Sequence, residues 1–178
     1  ERNDHQAVLK LYQQTAINQM IIGALLFVGI VVNLDNIYAL IPNKEEYLNG
    51  MNVVIIIGLA KFIDMLFGAN GPIIAMSGYY RFNVISVICL AVGVIGLNLW
   101  LIPKYGIHGA AASSLLAGLY FNLTKFLFIK LKLKIQPFSK GSLKMLLLVA
   151  IAFIINYIIP KTPILVDILV RSTLVSII

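Results

Sequence analysis

The stretch VISVICLAVGVIGLNLWLI, residues 84–102, runs for 19 consecutive positions without a charge. At about 1.5 Å of rise per helical residue, such a run matches the roughly 30 Å hydrocarbon core of a bilayer. Predominantly apolar runs of similar length lie on both sides of it, at 16–41, 51–76, 107–129 and 143–159, and one more starts at 164 and continues to 178. These predict five complete spans and the start of a sixth. Transmembrane β-strands would show segments of about ten residues with alternating polarity, which these runs do not. The predicted fold class is all-α, a polytopic transmembrane helix bundle.

Composition excludes the soluble alternative. Hydrophobic residues make up 60% of the chain and charged residues 12%, about half the quarter that a globular protein uses to keep its surface wet. Mean hydropathy is +0.94. The net charge of +7 would suit nucleic acid in a soluble protein. Here Lys130, Lys132, Lys134, Lys140 and Lys144 fall between two apolar spans, where anionic lipid headgroups are the first partner. Membrane lipids, and no nucleic acid, are the partners this charge predicts. The single Cys89 sits mid-span and is read as a small apolar core residue. Opening at Glu1 without an initiator Met and ending inside an apolar run, the sequence reads as a piece of a longer protein.

The connectors are short, so neighbouring helices are predicted to be antiparallel. Alternate connectors differ in basic content. One set carries Arg2, Lys10, Arg81 and the five lysines of 130–144, whereas the other carries Lys44, Lys104 and Lys161. The positive-inside rule therefore places residues 1–15 in the cytoplasm and the 42–50 loop, with Glu45 and Glu46, outside. Tyr38, Tyr47, Trp100, Tyr105 and Tyr157 then fall at the outer interface, with Tyr12, Tyr79 and Tyr80 at the inner one. Segment 1–15 reads equally as an amphipathic helix or as a plain connector.

Ionisable groups inside a span carry the most weight, because a Lys or Asp at a helix centre costs about 2.5–3.5 kcal/mol to insert. Lys61 and Asp64, three residues apart in the second span, are expected on one face, able to neutralise each other. They read either as the lining of a substrate cavity that also couples a proton or sodium ion, or as a structural ion pair. The doubled insertion cost favours the cavity. Asn70 lies in the Gly68-Ala-Asn-Gly-Pro72 segment, where a kink or local unwinding is expected, and is a second-rank candidate for that cavity; Gly-Pro kinks often serve packing alone, and that reading is favoured here. Asn33, Asp35 and Asn36 read as a solvated patch near the outer interface. Lys125 reads as snorkelling from the inner end of its span, and Arg171 is left open.

Gly109, Ser113 and Ala117 form a small-xxx-small row, a helix-packing device. His108 reads as interfacial. The sequence holds no phosphate-binding glycine loop, no His-Glu-x-x-His and no metal-spaced Cys/His set, so no metal, cofactor or catalytic residue is expected and ATP hydrolysis by this chain is excluded.

Two segments carry a family resemblance: Leu101-Ile-Pro-Lys-Tyr-Gly-Ile-His-Gly-Ala-Ala-Ala112, and Gly58-Leu-Ala-Lys-Phe-Ile-Asp-Met-Leu-Phe-Gly-Ala-Asn-Gly-Pro72 followed by Ser77-Gly-Tyr-Tyr-Arg-Phe-Asn83. They resemble bacterial polysaccharide biosynthesis flippases of the O-antigen type, within the multidrug/oligosaccharidyl-lipid/polysaccharide exporter superfamily. The likeness extends over nearly the whole chain, which would be a MATE-like C-terminal lobe. It implies a multi-pass protein of the bacterial inner membrane. The implied cargo is undecaprenyl-pyrophosphate-linked oligosaccharide, moved from inner to outer leaflet, with glycan polymerase or glycosyltransferases as further partners. Lys61 would then meet the anionic cargo, Asp64 would balance charge or couple to H+ or Na+, and Arg81 would touch cargo or headgroups. A multidrug or lipid II exporter of the same fold is the nearest alternative. A membrane-embedded enzyme of glycan assembly is a more distant one, since the loops are too short for catalytic machinery outside the membrane.

Overall fold

The computed structural model describes residues 2–42, 48–158 and 163–176; Lys44, Glu45, Glu46, Tyr47 and Lys161, which enter the orientation and aromatic arguments above, lie outside them. Every described element is a helix. In chain order they are α1 (Arg2–Val32), α2 (Leu34–Ala39), a 3-10 turn (Leu48–Gly50), α3 (Met51–Leu66), α4 (Asn70–Met76), α5 (Tyr80–Lys132), α6 (Lys140–Ile158) and α7 (Ile164–Ser176). Three stretches are long and apolar enough to cross a membrane: Gln6–Val32, Met51–Met76 and Tyr80–Lys132.

The last of these is folded in two. In a straight helix residues 82 and 128 would lie roughly 70 Å apart, yet the Phe82 and Phe128 rings stack with centroids 3.8 Å apart. The reversal sits at Gly106, whose φ of 56° and ψ of −132° belong to a region that residues with a Cβ scarcely occupy. Pro103 lies in the last turn of the incoming arm, and Gly109 lets the outgoing arm lie directly against the Leu101 carbonyl. The arms, 80–105 and 107–132, are each about 39 Å long.

Side-chain contacts fix the remaining directions. Tyr12 meets Asn70, Gly23 lies against Phe62 and Met65, Phe27 against Gly58, and Tyr38 against Gly50, so α1 runs antiparallel to α3 and α4. Ile17 lies against Gly141 and Phe27 against Phe153, so α6 is parallel to α1. Gly29 lies against Val175 and Asn36 against Asp167, so α7 runs back. Helix α1 is thus the hub. Its buried row Tyr12, Ala16, Met20, Ala24 and Val28 repeats every fourth residue, one stripe of a 3.6-residue helix turned toward its neighbours. Phe62, Val149 and Val175 complete that core.

Residues 1–15 had two readings; Arg2 onward is helical and continuous with α1. The 80–105 arm is outermost, with Val92, Ile95 and Leu99 exposed on it. Cys89, read from sequence as a core residue, is on this arm and exposed. Run length says that a residue lies within a span but not which side faces a neighbour. The cations Lys10, Arg81, Lys130, Lys132, Lys134, Lys140 and Lys144 all gather at one end of the bundle, and Lys104 stands at the other, over the Trp100 ring at 4.6 Å.

A candidate polar site halfway along the bundle

The chain breaks between α3 and α4. Gly68 adopts φ of 62°, and a Cβ there would come within 2.9 Å of the Ala16 side chain, so only glycine gives both the turn and the close approach of the two backbones. Pro72 falls in the first turn of α4, where a missing N–H removes no helical hydrogen bond. Asn70 opens α4, fully buried, and its Oδ1 accepts the Tyr12 hydroxyl proton while its Nδ2 has no partner. It locks α4 to α1 and is closed off behind Tyr12.

Lys61 and Asp64 share the exposed face of α3 with Ile57, the i, i+4, i+7 row. They do not form the ion pair that their spacing allows. Asp64 instead accepts from Asn122 Nδ2 at 2.8 Å across the interface with the 107–132 arm. Asn122 also donates to the Gly118 carbonyl at 3.0 Å, which holds its amide in place. The short carboxylate reaches sideways to the neighbouring helix, and Lys61 keeps its ammonium on the open face.

Lys125 is the residue that the sequence reading misplaced. It does not snorkel: it is 5% exposed, with Nζ 3.9 Å above the Phe121 ring centroid, beside Gly71 and in the field of Asp64. No hydrogen bond or ion pair meets this ammonium among the described residues. A Cβ on Gly71 would sit 3.4 Å from Lys125 Nζ and 3.9 Å from Asn83 Oδ1, itself buried and without a partner. The signal was present in the sequence. Gly109, Ser113, Ala117, Phe121, Lys125 and Ile129 form one i+4 row, and Gly109, Ser113, Ala117 and Ile129 are all buried, so Lys125 points where the small residues point. Together Lys61, Asp64, Asn122 and Lys125 set two cations near one carboxylate, beside the middle of the membrane-length stretch Met51–Met76.

The other sequence candidates lie apart from this cluster. Arg81 is exposed at the lysine-rich end, donating from Nε to the Tyr80 hydroxyl at 3.3 Å. Arg171, left open by the sequence, is buried and donates to Asp167 at 2.6 Å and to the Asn156 carbonyl at 2.9 Å. Asn36 donates to the same Asp167 carboxylate at 2.6 Å and Asn33 is buried, so the solvated-patch reading of these two asparagines is overturned. Asn36 and Arg171, meeting at Asp167, cross-link α2, α6 and α7, whereas Asn33 donates to the Gly29 carbonyl, and only Asp35 of that patch is exposed. Among the described residues, no three His, Cys, Asp or Glu side chains are placed to hold a metal ion.

Comparison with known proteins returns no match: no family model fits the chain, and no curated protein or solved structure is significantly similar to it.

Proposed function

We propose that this chain forms one lobe of a secondary transporter of flippase type in the bacterial inner membrane. In this reading it moves undecaprenyl-pyrophosphate-linked oligosaccharide from the inner to the outer leaflet. The observation that carries the reading is the open face of α3, where Lys61 and Asp64 stand exposed in the middle of the membrane-length stretch Met51–Met76. A charge held against hydrocarbon at that depth costs about 2.5–3.5 kcal/mol even by insertion measurements, so this face borders water rather than lipid. A water-filled cleft halfway across a bilayer is what alternating access between two lobes requires.

The charges fit a pyrophosphate cargo. Lys61 offers an ammonium to the open side, while Asp64 is held back by Asn122, so an arriving anion meets the cation first. Lys125 lies behind Asp64 and offsets the carboxylate while the cleft is empty. A cation bound beside Asp64 would offset the carboxylate and leave the charge of Lys61 and Lys125 to the anion, coupling ion and cargo. A multidrug or lipid II exporter would use the same cleft, but a cationic drug gains nothing from Lys61.

The test is display of surface glycan by cells that depend on this protein. Lys61→Ala is expected to abolish display while membrane insertion and protein level stay normal, and Lys61→Arg to retain part of it. Normal display by Lys61→Ala at normal protein level would refute the proposal.

A further inference from the structure

At the lysine-rich end, α1 and α4 diverge. Past the contact of Gly68 with Ala16 they leave a groove of about 560 Å³ between them, within the range of about 300–1,000 Å³ typical of ligand pockets. Val8, Leu11 and Tyr12 of α1, Ile73 and Met76 of α4, and Leu133 line it. Its lips are bare, with Met76 88% and Leu11 65% exposed. Three hydroxyls reach the groove, and each gives its proton to the protein: Tyr12 to Asn70, Thr15 to the Leu11 carbonyl, Ser77 to the Ile74 carbonyl. The lining therefore suits a hydrocarbon chain and offers no free hydroxyl donor to a polar guest.

Among the residues whose side chains are described, the rim carries charge of one sign. Lys10 adjoins Leu11, and Lys132 and Lys134 bracket Leu133, all three exposed. Lys134 holds a left-handed φ of 55°, a conformation in which glycine or asparagine is usual. No Asp or Glu occurs between Asp64 and Asp167, so α4, α5 and the 133–139 segment contribute no carboxylate to offset these lysines.

We propose that this groove is a binding site for an anionic phospholipid of the surrounding bilayer, one acyl chain lying between α1 and α4 and the phosphate between Lys10, Lys132 and Lys134. A zwitterionic lipid fills the groove equally well but leaves the lysines without a net-negative partner, so selectivity resides in the rim and occupancy in the groove. The proposal rests on the membrane placement of the bundle and not on the identity of the transported cargo.

The test uses the full chain in phosphatidylcholine nanodiscs, with Trp100→Phe and Leu11→Trp placing a single fluorophore at the groove lip. Nitroxide-labelled phosphatidylglycerol is titrated in parallel with nitroxide-labelled phosphatidylcholine. Half-quenching by phosphatidylglycerol is expected at a mole fraction about tenfold lower. The triple variant Lys10→Gln, Lys132→Gln, Lys134→Gln is expected to remove that preference while helicity is unchanged, and Met76→Trp serves as a second reporter should Leu11→Trp disturb the fold. Trp100 in the otherwise native chain, at the opposite end of the bundle, is expected to show no preference. Equal quenching by the two lipids, or a preference that survives the triple variant, would overturn the proposal. Displacement of the label by a polyisoprenyl phosphate at lower mole fraction than by unlabelled phosphatidylglycerol would also overturn it, assigning the groove to a cargo tail. The titration reads lipid occupancy, so its outcome is independent of whether the chain exports glycan.

Discussion

Asp64 is hydrogen-bonded to Asn122 of the neighbouring helix at 2.8 Å, and not to Lys61 one turn away on its own helix. This contact spans the interface between α3 and the 107–132 arm, which the stacked arms of α5 extend outward. A hydrogen bond to an ionised group contributes about 1.5–3 kcal/mol. Asn122→Leu is therefore expected to lower unfolding stability in mixed micelles by that amount in the native background and by less than half of it in an Asp64→Asn background. Equal losses in both backgrounds would show that Asn122 acts through packing alone.

Lys125 is held in a buried site without a hydrogen-bonding acceptor, an arrangement that stability alone does not favour. Replacing a whole buried ion pair with apolar groups is commonly neutral or stabilising by about 1–4 kcal/mol, and removing the Lys125 charge leaves no buried partner charge behind, because Asp64 is exposed and bonded to Asn122. Lys125→Met is expected to melt at the same or a higher temperature than the native chain while glycan export falls at least tenfold. A stabilised variant with undiminished export would mean that Lys125 plays no part in transport.

Three glycines on α5 differ sharply in what surrounds them. A Cβ on Gly109 would run into the Leu101 carbonyl, one on Gly106 meets open space but carries a φ of 56°, and one on Gly93 meets nothing at all. Gly109→Ala is expected to destabilise most, because the arms of the hairpin must part. Gly106→Ala should cost on the order of 1–3 kcal/mol from backbone strain alone, and Gly93→Ala should be neutral within about 0.5 kcal/mol. Thermal unfolding of the three variants in one detergent checks this order, and a Gly93→Ala loss equal to that of Gly109→Ala would contradict it.

What could be read from the sequence is what short segments decide for themselves. Helical character follows from the length of the apolar runs, the reversal from Pro103 and Gly106, and the break before α4 from Gly68 and Pro72. None of these needs knowledge of a neighbour. The misread residues all depend on one. Spacing puts Lys61 and Asp64 on one face, but the partner of Asp64 is set by Asn122, 58 residues away. Asn36 finds Asp167 at a separation of 131 residues. Periodicity gives little help in an almost wholly apolar helix, because the buried and lipid-facing sides have similar composition. The i+4 row from Gly109 to Ile129 is the exception, since its small residues mark the packed side and point to Lys125.

The exposed, mid-bundle position of Lys61 carries the functional reading, and water accessibility at that position tests it most directly. In a Cys89→Ser background, Lys61→Cys is to be treated in intact membranes with a membrane-impermeant cationic thiol reagent, alongside Ile95→Cys on the outermost arm. Labelling of Lys61→Cys, with Ile95→Cys unlabelled, is the expected result and places water beside the middle of the Met51–Met76 stretch. A Lys61→Cys variant as inert as Ile95→Cys would contradict a water-filled cleft and with it the assignment of Lys61 and Asp64 to a transport pathway.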